Sequence, residues 1–221
     1  MAVTLYDLQN KIASFLDSNP TNSSDGSQTW SRRQNYINRA QQQWAEVLDW
    51  RNLYKEYNAL ISTPSGTSTH ALPSDFRKLA GHAIIGGLKF TDVYPYEKVD
   101  IGTASPITYV LGTPGSYNLI MRWAEAPESL SSITLPYYSP PANLTTQGSI
   151  SPIPDPEYLT AKAIAFELRS LVKDHQRADV EDARAELILR NMMASENTPS
   201  FGNERRIKTQ EERMGFTFGE D

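Results

Sequence analysis

The sequence predicts an α+β protein: an antiparallel four-helix bundle with an inserted antiparallel β-meander and an extended C-terminal tail. Three observations carry this expectation. Apolar residues recur at helical spacing near both ends, in 4–16 and 29–57 and again in 156–172 and 177–196. The stretch between them turns to period two and to β-forming residues, and from Thr198 onward neither period is present. The corresponding division is 1–57 for the first two bundle helices, 58–139 for the inserted β region and 140–154 for a Pro-rich linker. Residues 155–197 supply the last two helices and 198–221 the tail.

The first helix is read over 4–16, where Leu5, Leu8, Ile12, Phe15 and Leu16 share a face and Thr4 with Asp7 forms a capping-box spacing. DSNPTNSSDGSQ then ends it at about Asn19, since Pro20 disfavours helical geometry at the preceding residue. The long stretch 29–57 places Ile37, Ala40, Trp44, Val47 and Leu48 on one stripe, with Ser31 and Gln34 marking a start and Trp44, Trp50 and Tyr54 in its last turns. A stripe this bulky needs other helices to cover it, and two helices joined by a polar loop pack antiparallel.

Beyond it, 57–62 reads as a strand, PSGTST as a turn, and Ala83 to Ile85, bounded by glycines, as a short strand. The run TDVYPYEKVDIGTASP is mostly loop, with a helical turn at 97–100. Clearer strands occupy 107–111, 117–123 and 132–138, the first two joined by GTPGS and the second pair by AEAPES, which makes a meander the simplest arrangement. Prolines at 140, 141, 152 and 154 exclude helix from the linker. Asp155 then caps a helix with Pro156 in its first position and a stripe of Ala161, Ile164, Ala165, Leu168, Leu171 and Val172. A break near Asp174-His175 precedes the fourth helix, with Val180, Ala183, Leu187, Ile188 and Met192 facing inward. The tail offers isolated apolar anchors at Phe201, Ile207, Met214, Phe216 and Phe218, the composition of a segment that orders on a partner.

Composition narrows the function. With 221 residues, 39% hydrophobic and 21% charged, the chain is long enough for a real core. The absence of cysteine rules out disulfides, thiolate metal sites and a cysteine nucleophile. His70, His82 and His175 have no helical-spacing partner, so no metal site is expected, and no stretch approaches the roughly 18 apolar residues of a membrane span. The net charge of −5, with acids and bases interleaved, does not supply the basic face on which duplex DNA binding rests. No phosphate cradle, nucleophile elbow or zinc spacing is present, and the carboxylate pairs Asp179/Asp182 and Glu181/Glu186 sit at a solvated helix edge. No catalytic residue and no cofactor is expected, and the protein is read as not an enzyme. Arg32-Arg33 reads as an exposed helix start and Asp49-Trp50-Arg51 as an ion pair beside an indole. The aromatics Tyr109, Tyr117, Trp123, Tyr137 and Tyr138 suit sheet packing better than base stacking.

A series of segments in fixed order resembles the head-to-tail adaptor, or connector, proteins of tailed bacteriophages. They are RRQNYINRAQQQWAEVLDWR at 32–51, LPSDFRKL at 72–79, PYEKVDIGT at 95–103, the hairpin ending in RWAEAPESL, LPYYSPPANLT at 135–145, and PIPDPEYLTAKAIAFEL leading into the last helices. Together they span about 31–197. The resemblance implies a virion protein at the head–tail junction, made in the host cytoplasm and assembled into a homo-oligomeric ring, commonly dodecameric. Its implied partners are the portal protein, a tail-side protein (stopper, nozzle or tail tube component) and, in transit through the lumen, DNA, with no membrane. It also implies that the tail docks on the portal; the family lends no individual contacts there, and the residues expected to make them, chosen from the tail's own sequence, are Phe201, Arg205, Arg206, Ile207, Met214, Phe216 and Phe218. The alternative is a nucleic-acid-binding regulatory or packaging accessory protein, which predicts salt-dependent affinity for free DNA.

Overall fold

The computed structural model describes residues 3–16, 28–62, 67–92, 106–122 and 130–197. The chain divides into two compact units: residues 1–40, 146–149 and 153–221 form the first, and 41–145 with 150–152 the second.

The first unit is helical. Helix α1 (Leu5–Phe15) begins with the predicted capping box: the Asp7 amide donates to Thr4 Oγ1 at 3.2 Å, and the Thr4 amide donates to Asp7 Oδ2 at 2.9 Å. The next orphan amides, those of Leu5 and Tyr6, donate to the carbonyls of Ser149 and Gln147. Thr4→Ala is expected to destabilise the protein by about 1 kcal/mol, read as a lower unfolding midpoint. The bonds from the Thr4 backbone and side chain hold the Asp7 carboxyl below its ordinary 3.8. The stability linked to that ionised carboxylate is therefore complete above the ordinary value and lost as the pH falls through the lowered one. The midpoints of wild type and variant should converge in acid.

Helix α2 (Gln28–Val47) starts three residues before Ser31, so that serine lies inside the helix and does not cap it. It also stops ten residues short of Tyr57. A 3₁₀ turn at Arg51–Leu53 follows, and Tyr54 opens a strand. The period-3.6 pattern runs on past α2 because Trp50, just before the 3₁₀ turn, and Leu53, within it, are also buried. Helix α3 (Glu157–Glu167) has Asp155 Oδ1 accepting from the Glu157 amide at 3.0 Å. It is buried nearly all round, and both α1 and α4 (His175–Asn197) pack on it. Between α3 and α4 the chain widens into a π-helix, Leu168–Val172, closed by Lys173 in the left-handed region at φ 60°. The wider turn leaves Leu171 and Val172, expected in the stripe, exposed.

Helix α4 is rotated from the expected face. Ala178, Glu181, Ala185, Leu189 and Met192 are buried, whereas Val180, Ala183 and Leu187 face solvent. An ionic ladder accompanies the rotation. Lys162 Nζ meets Asp182 Oδ1 at 2.9 Å and Glu186 Oε1 at 3.6 Å, while Arg169 pairs with Asp182 and, at 2.7 Å, with Asp179. These charges join α3 and the π-helix to α4; the alanines Ala178 and Ala185 are fully buried, and the bulkier Val180 and Leu187 are left outside.

The second unit holds nine strands among the described residues: β1 (Tyr54–Ser62), β2 (Thr67–Ala71), β3 (Lys78–Leu79), β4 (Ile84–Ile85), β5 (Leu88–Lys89), β6 (Thr91–Asp92), β7 (Ile107–Thr113), β8 (Ser116–Arg122) and β9 (Leu130–Tyr138). They form two sheets. One runs β1-β9-β4-β5, with β3 also on β9, and the other runs β2-β8-β7-β6. The β7–β8 hairpin forms as the sequence suggests. Pro114-Gly115 fits the central positions of a type II turn, with Gly115 at φ 81°. Gly112 sits at φ 130°, where a Cβ would lie 2.3 Å from the Ser116 carbonyl oxygen, so no other residue fits. The core contains Ile61, Ile85, Ile133, Leu135 and Tyr137 from the first sheet and Leu119 and Met121 from the second, together with Leu72, Phe76, Ala83 and Phe90.

The predicted antiparallel four-helix bundle with an inserted antiparallel meander is therefore incorrect. Strand β9 does not pair with its neighbour in sequence, β8. It pairs with β1 over nine residues, Tyr54 opposite Tyr138 through Ser62 opposite Leu130, and on its other side with β4. That register puts Tyr57, Ala59 and Ile61 on the same face as Leu135, Ile133 and Ser131. A parallel β6–β7 pair is also incompatible with a meander. On the helical side, the last turns of α2 belong to the second unit, and the outer face of α4 closes on nothing described. Strand β2, read from sequence as a turn, pairs with β8.

Candidate assembly surfaces

The expected docking residues Phe201, Arg205, Arg206, Ile207, Met214, Phe216 and Phe218 lie outside the described residues. What the structure does describe is the chemistry and the exposed surface of the two units.

Several polar groups are engaged in holding the fold. Arg33, expected at an exposed helix start, is buried and grips Glu167 through two bonds, Nε to Oε2 at 2.9 Å and Nη2 to Oε1 at 3.1 Å. Asp49 pairs with Lys78 Nζ at 2.5 Å, while Trp50 is buried against Trp44. His70 is half-buried, its Nε2 3.0 Å from the Tyr57 hydroxyl, and burial lowers its pKa. Burial raises Asp92 despite a 2.6 Å bond from the Thr108 hydroxyl. Burial also acts to raise Asp182, but the bonds from Lys162 and Arg169 outweigh it and hold the carboxyl low. Tyr137 is pushed up to about 12 by burial and its bond to Asp75, and Tyr158 to about 12 by burial and the charges of Glu186 and Asp182. These shifts follow from sheet and helix packing. Among the described residues no group of three or more His, Asp or Glu side chains is arranged to hold a metal, and no helix is long and apolar enough to cross a membrane.

One cleft of about 210 Å³ opens among Phe15, Leu16, Arg33, Glu167, Leu168, Val172 and Arg177. It is smaller than the roughly 300–1,000 Å³ of ordinary small-molecule sites, and its charged floor is the Arg33–Glu167 pair, already joined.

Two exposed apolar surfaces stand out instead. On the first sheet the register sets Leu60 opposite Ser132, Leu130 opposite Ser62 and Ile84 opposite Thr134, so the three apolar residues share the outer face. They are 69%, 56% and 44% exposed. Leu60 and Leu130 are diagonal neighbours, within reach of each other across the strands. Strand β1 has a partner on one side only, which leaves its other edge open in that sheet. The second surface is α4, where Val180 and Leu187 are 63% and 61% exposed. Sequence periodicity assigns these α4 residues to the interior, because a helix with two apolar stripes gives no sign of which one is covered. Of the aromatics, Tyr137 is buried and stacks on Phe76, Tyr117 meets Phe76 edge-on, and Tyr138 lies edge-on to Tyr54. Tyr109 is half-buried, and Trp123 lies outside the described residues.

A family model described as SU10 adaptor protein matches residues 3–206. A comparison with curated proteins finds no match.

Proposed function

Because the chain belongs to the SU10 adaptor protein family, a family of bacteriophage head-to-tail adaptors, we propose that it forms a homo-oligomeric ring, dodecameric as in the connectors it resembles, between the portal and the next tail component. The genome passes through the ring's lumen, and the protein acts by assembly and not by turnover. The match over nearly the whole chain is the observation that carries this reading.

Two physical features support it. A cyclic ring needs two non-identical surfaces on every subunit, and the outer face of the β1–β9 sheet and the outer stripe of α4 are apolar, exposed and different from one another. A conduit also functions best without gripping the DNA it conducts, and a net charge of −5 is consistent with few phosphate contacts. The tail 198–221 docks on the portal through Phe201, Arg205, Arg206, Ile207, Met214, Phe216 and Phe218.

Mixing the purified chain with its cognate portal ring and measuring the mass of the product tests this. The full chain is expected to add about one subunit per portal subunit, and a truncation ending at Asn197 to add none. If neither form binds the portal and the full chain retains DNA in a salt-dependent manner, the nucleic-acid-binding alternative replaces the connector.

A further inference from the structure

Helix α4 carries two apolar stripes, and only one is used. The covered stripe packs on α3. The other runs through Val180, Ala183, Leu187 and Ala194, exposed positions at spacings of three, four and seven, the pattern of a helix seam. Single exposed apolar residues are ordinary, but a row of them along one helix marks a contact surface. Arg177 and Arg184 border this row on one side, where they already pair with Asp174 and with Glu157 and Glu181, and the exposed Arg190 borders it on the other.

We infer that this outer stripe of α4 receives residues 214–221 of the same chain, MGFTFGED, before the subunit assembles. The match is chemical. Met214, Phe216 and Phe218 stand at alternate positions, so an extended run presents all three on one face. Glu220 and Asp221 follow after Gly219 and complement the bordering Arg190. The connection is long enough. Sixteen residues lie between Asn197 and Met214, and the connection can be drawn out to about 55 Å. The farthest point needed, Val180, is seventeen helical residues back along α4, or about 26 Å. Tethering then supplies a local concentration on the order of millimolar, so modest contacts suffice. The contact covers the same Met214, Phe216 and Phe218 that dock on the portal in the function proposed above, but it does not depend on that function. It makes the tail's apolar end unavailable to other surfaces until a stronger site competes for it.

The chain has no cysteine, so an introduced pair reports proximity without interference. In the full-length protein without portal, Leu187→Cys with Phe218→Cys should form an intramolecular disulfide under oxidised glutathione. The rate should be at least tenfold faster than for Asn35→Cys with Phe218→Cys and unchanged on dilution. Adding Val180→Asp to the first pair should bring its rate down to the control. The inference is overturned by equal rates for the two pairs, by a rate insensitive to Val180→Asp, or by disulfides only between molecules that fade on dilution. The last result assigns the stripe to a second copy of the chain. Because no portal is present, none of these outcomes bears on whether the protein is a connector.

Discussion

Trp44→Ala is expected to lower the unfolding free energy by about 3–5 kcal/mol, the range for emptying a large buried aromatic site. Trp44 is fully buried and stacked on Trp50, with ring centroids 4.6 Å apart and planes 17° from parallel. The Trp50 indole Nε1 donates to the Trp44 carbonyl at 2.8 Å, so the pair joins the last turn of α2 to the residues just before β1. Removing one indole takes away its own burial and the face against which the other rests. Trp44→Phe should cost clearly less. It keeps a ring in the site, and the Trp44 Nε1 has no acceptor among the described residues, so no hydrogen bond is forfeited. Denaturant unfolding followed by near-UV circular dichroism measures both. A Trp44→Ala midpoint close to that of Trp44→Phe would show that the stacking has no structural weight.

Glu167→Ala has the second large expected effect, about 3–5 kcal/mol, for a different reason: it leaves the buried Arg33 charge without its carboxylate. The pair itself need not stabilise the fold much, since desolvating two ions offsets most of their attraction. The double replacement Arg33→Met with Glu167→Leu should therefore recover most of what Glu167→Ala loses, and a double-mutant cycle separates the two effects. The exposed pairs Lys11–Glu157 and Lys55–Asp75 serve as controls, and breaking either should cost less than about 1 kcal/mol. If Glu167→Ala were as mild as those, Arg33 would have to be reaching water in the folded protein.

The pair also shows where sequence reading stops. Arg32-Arg33 looks like any solvated helix start, and only the arrival of Glu167, 134 residues later in the chain, turns one of the two arginines into a core residue. The assembly surfaces behave in the same way. Val180 and Leu187 read as core because their spacing is that of a core, and the structure shows them outside. The expected docking residues from Phe201 to Phe218 lie beyond the described residues, so their role rests on the sequence and on the portal experiment.

Much was determined locally. The Thr4–Asp7 capping box, Asp155 at the start of α3, the break before α4 and the Pro114-Gly115 hairpin each depend on residues a few positions apart, and such bonds form wherever the spacing allows. The ordered segments from Arg32 onward were sufficient to indicate the adaptor family. Three things were decided only by the tertiary structure: β9 pairing with β1 and β4 in place of β8, the end of α2 at Val47, and the rotation of α4. Alternation along a strand sets which side chains share a face but is the same for every partner. Helical spacing, likewise, defines stripes without ranking them. Which strand and which stripe win depends on contacts formed across long stretches of chain, such as the nine-residue register of β1 on β9 and the ladder from Lys162 and Arg169 to Asp179, Asp182 and Glu186.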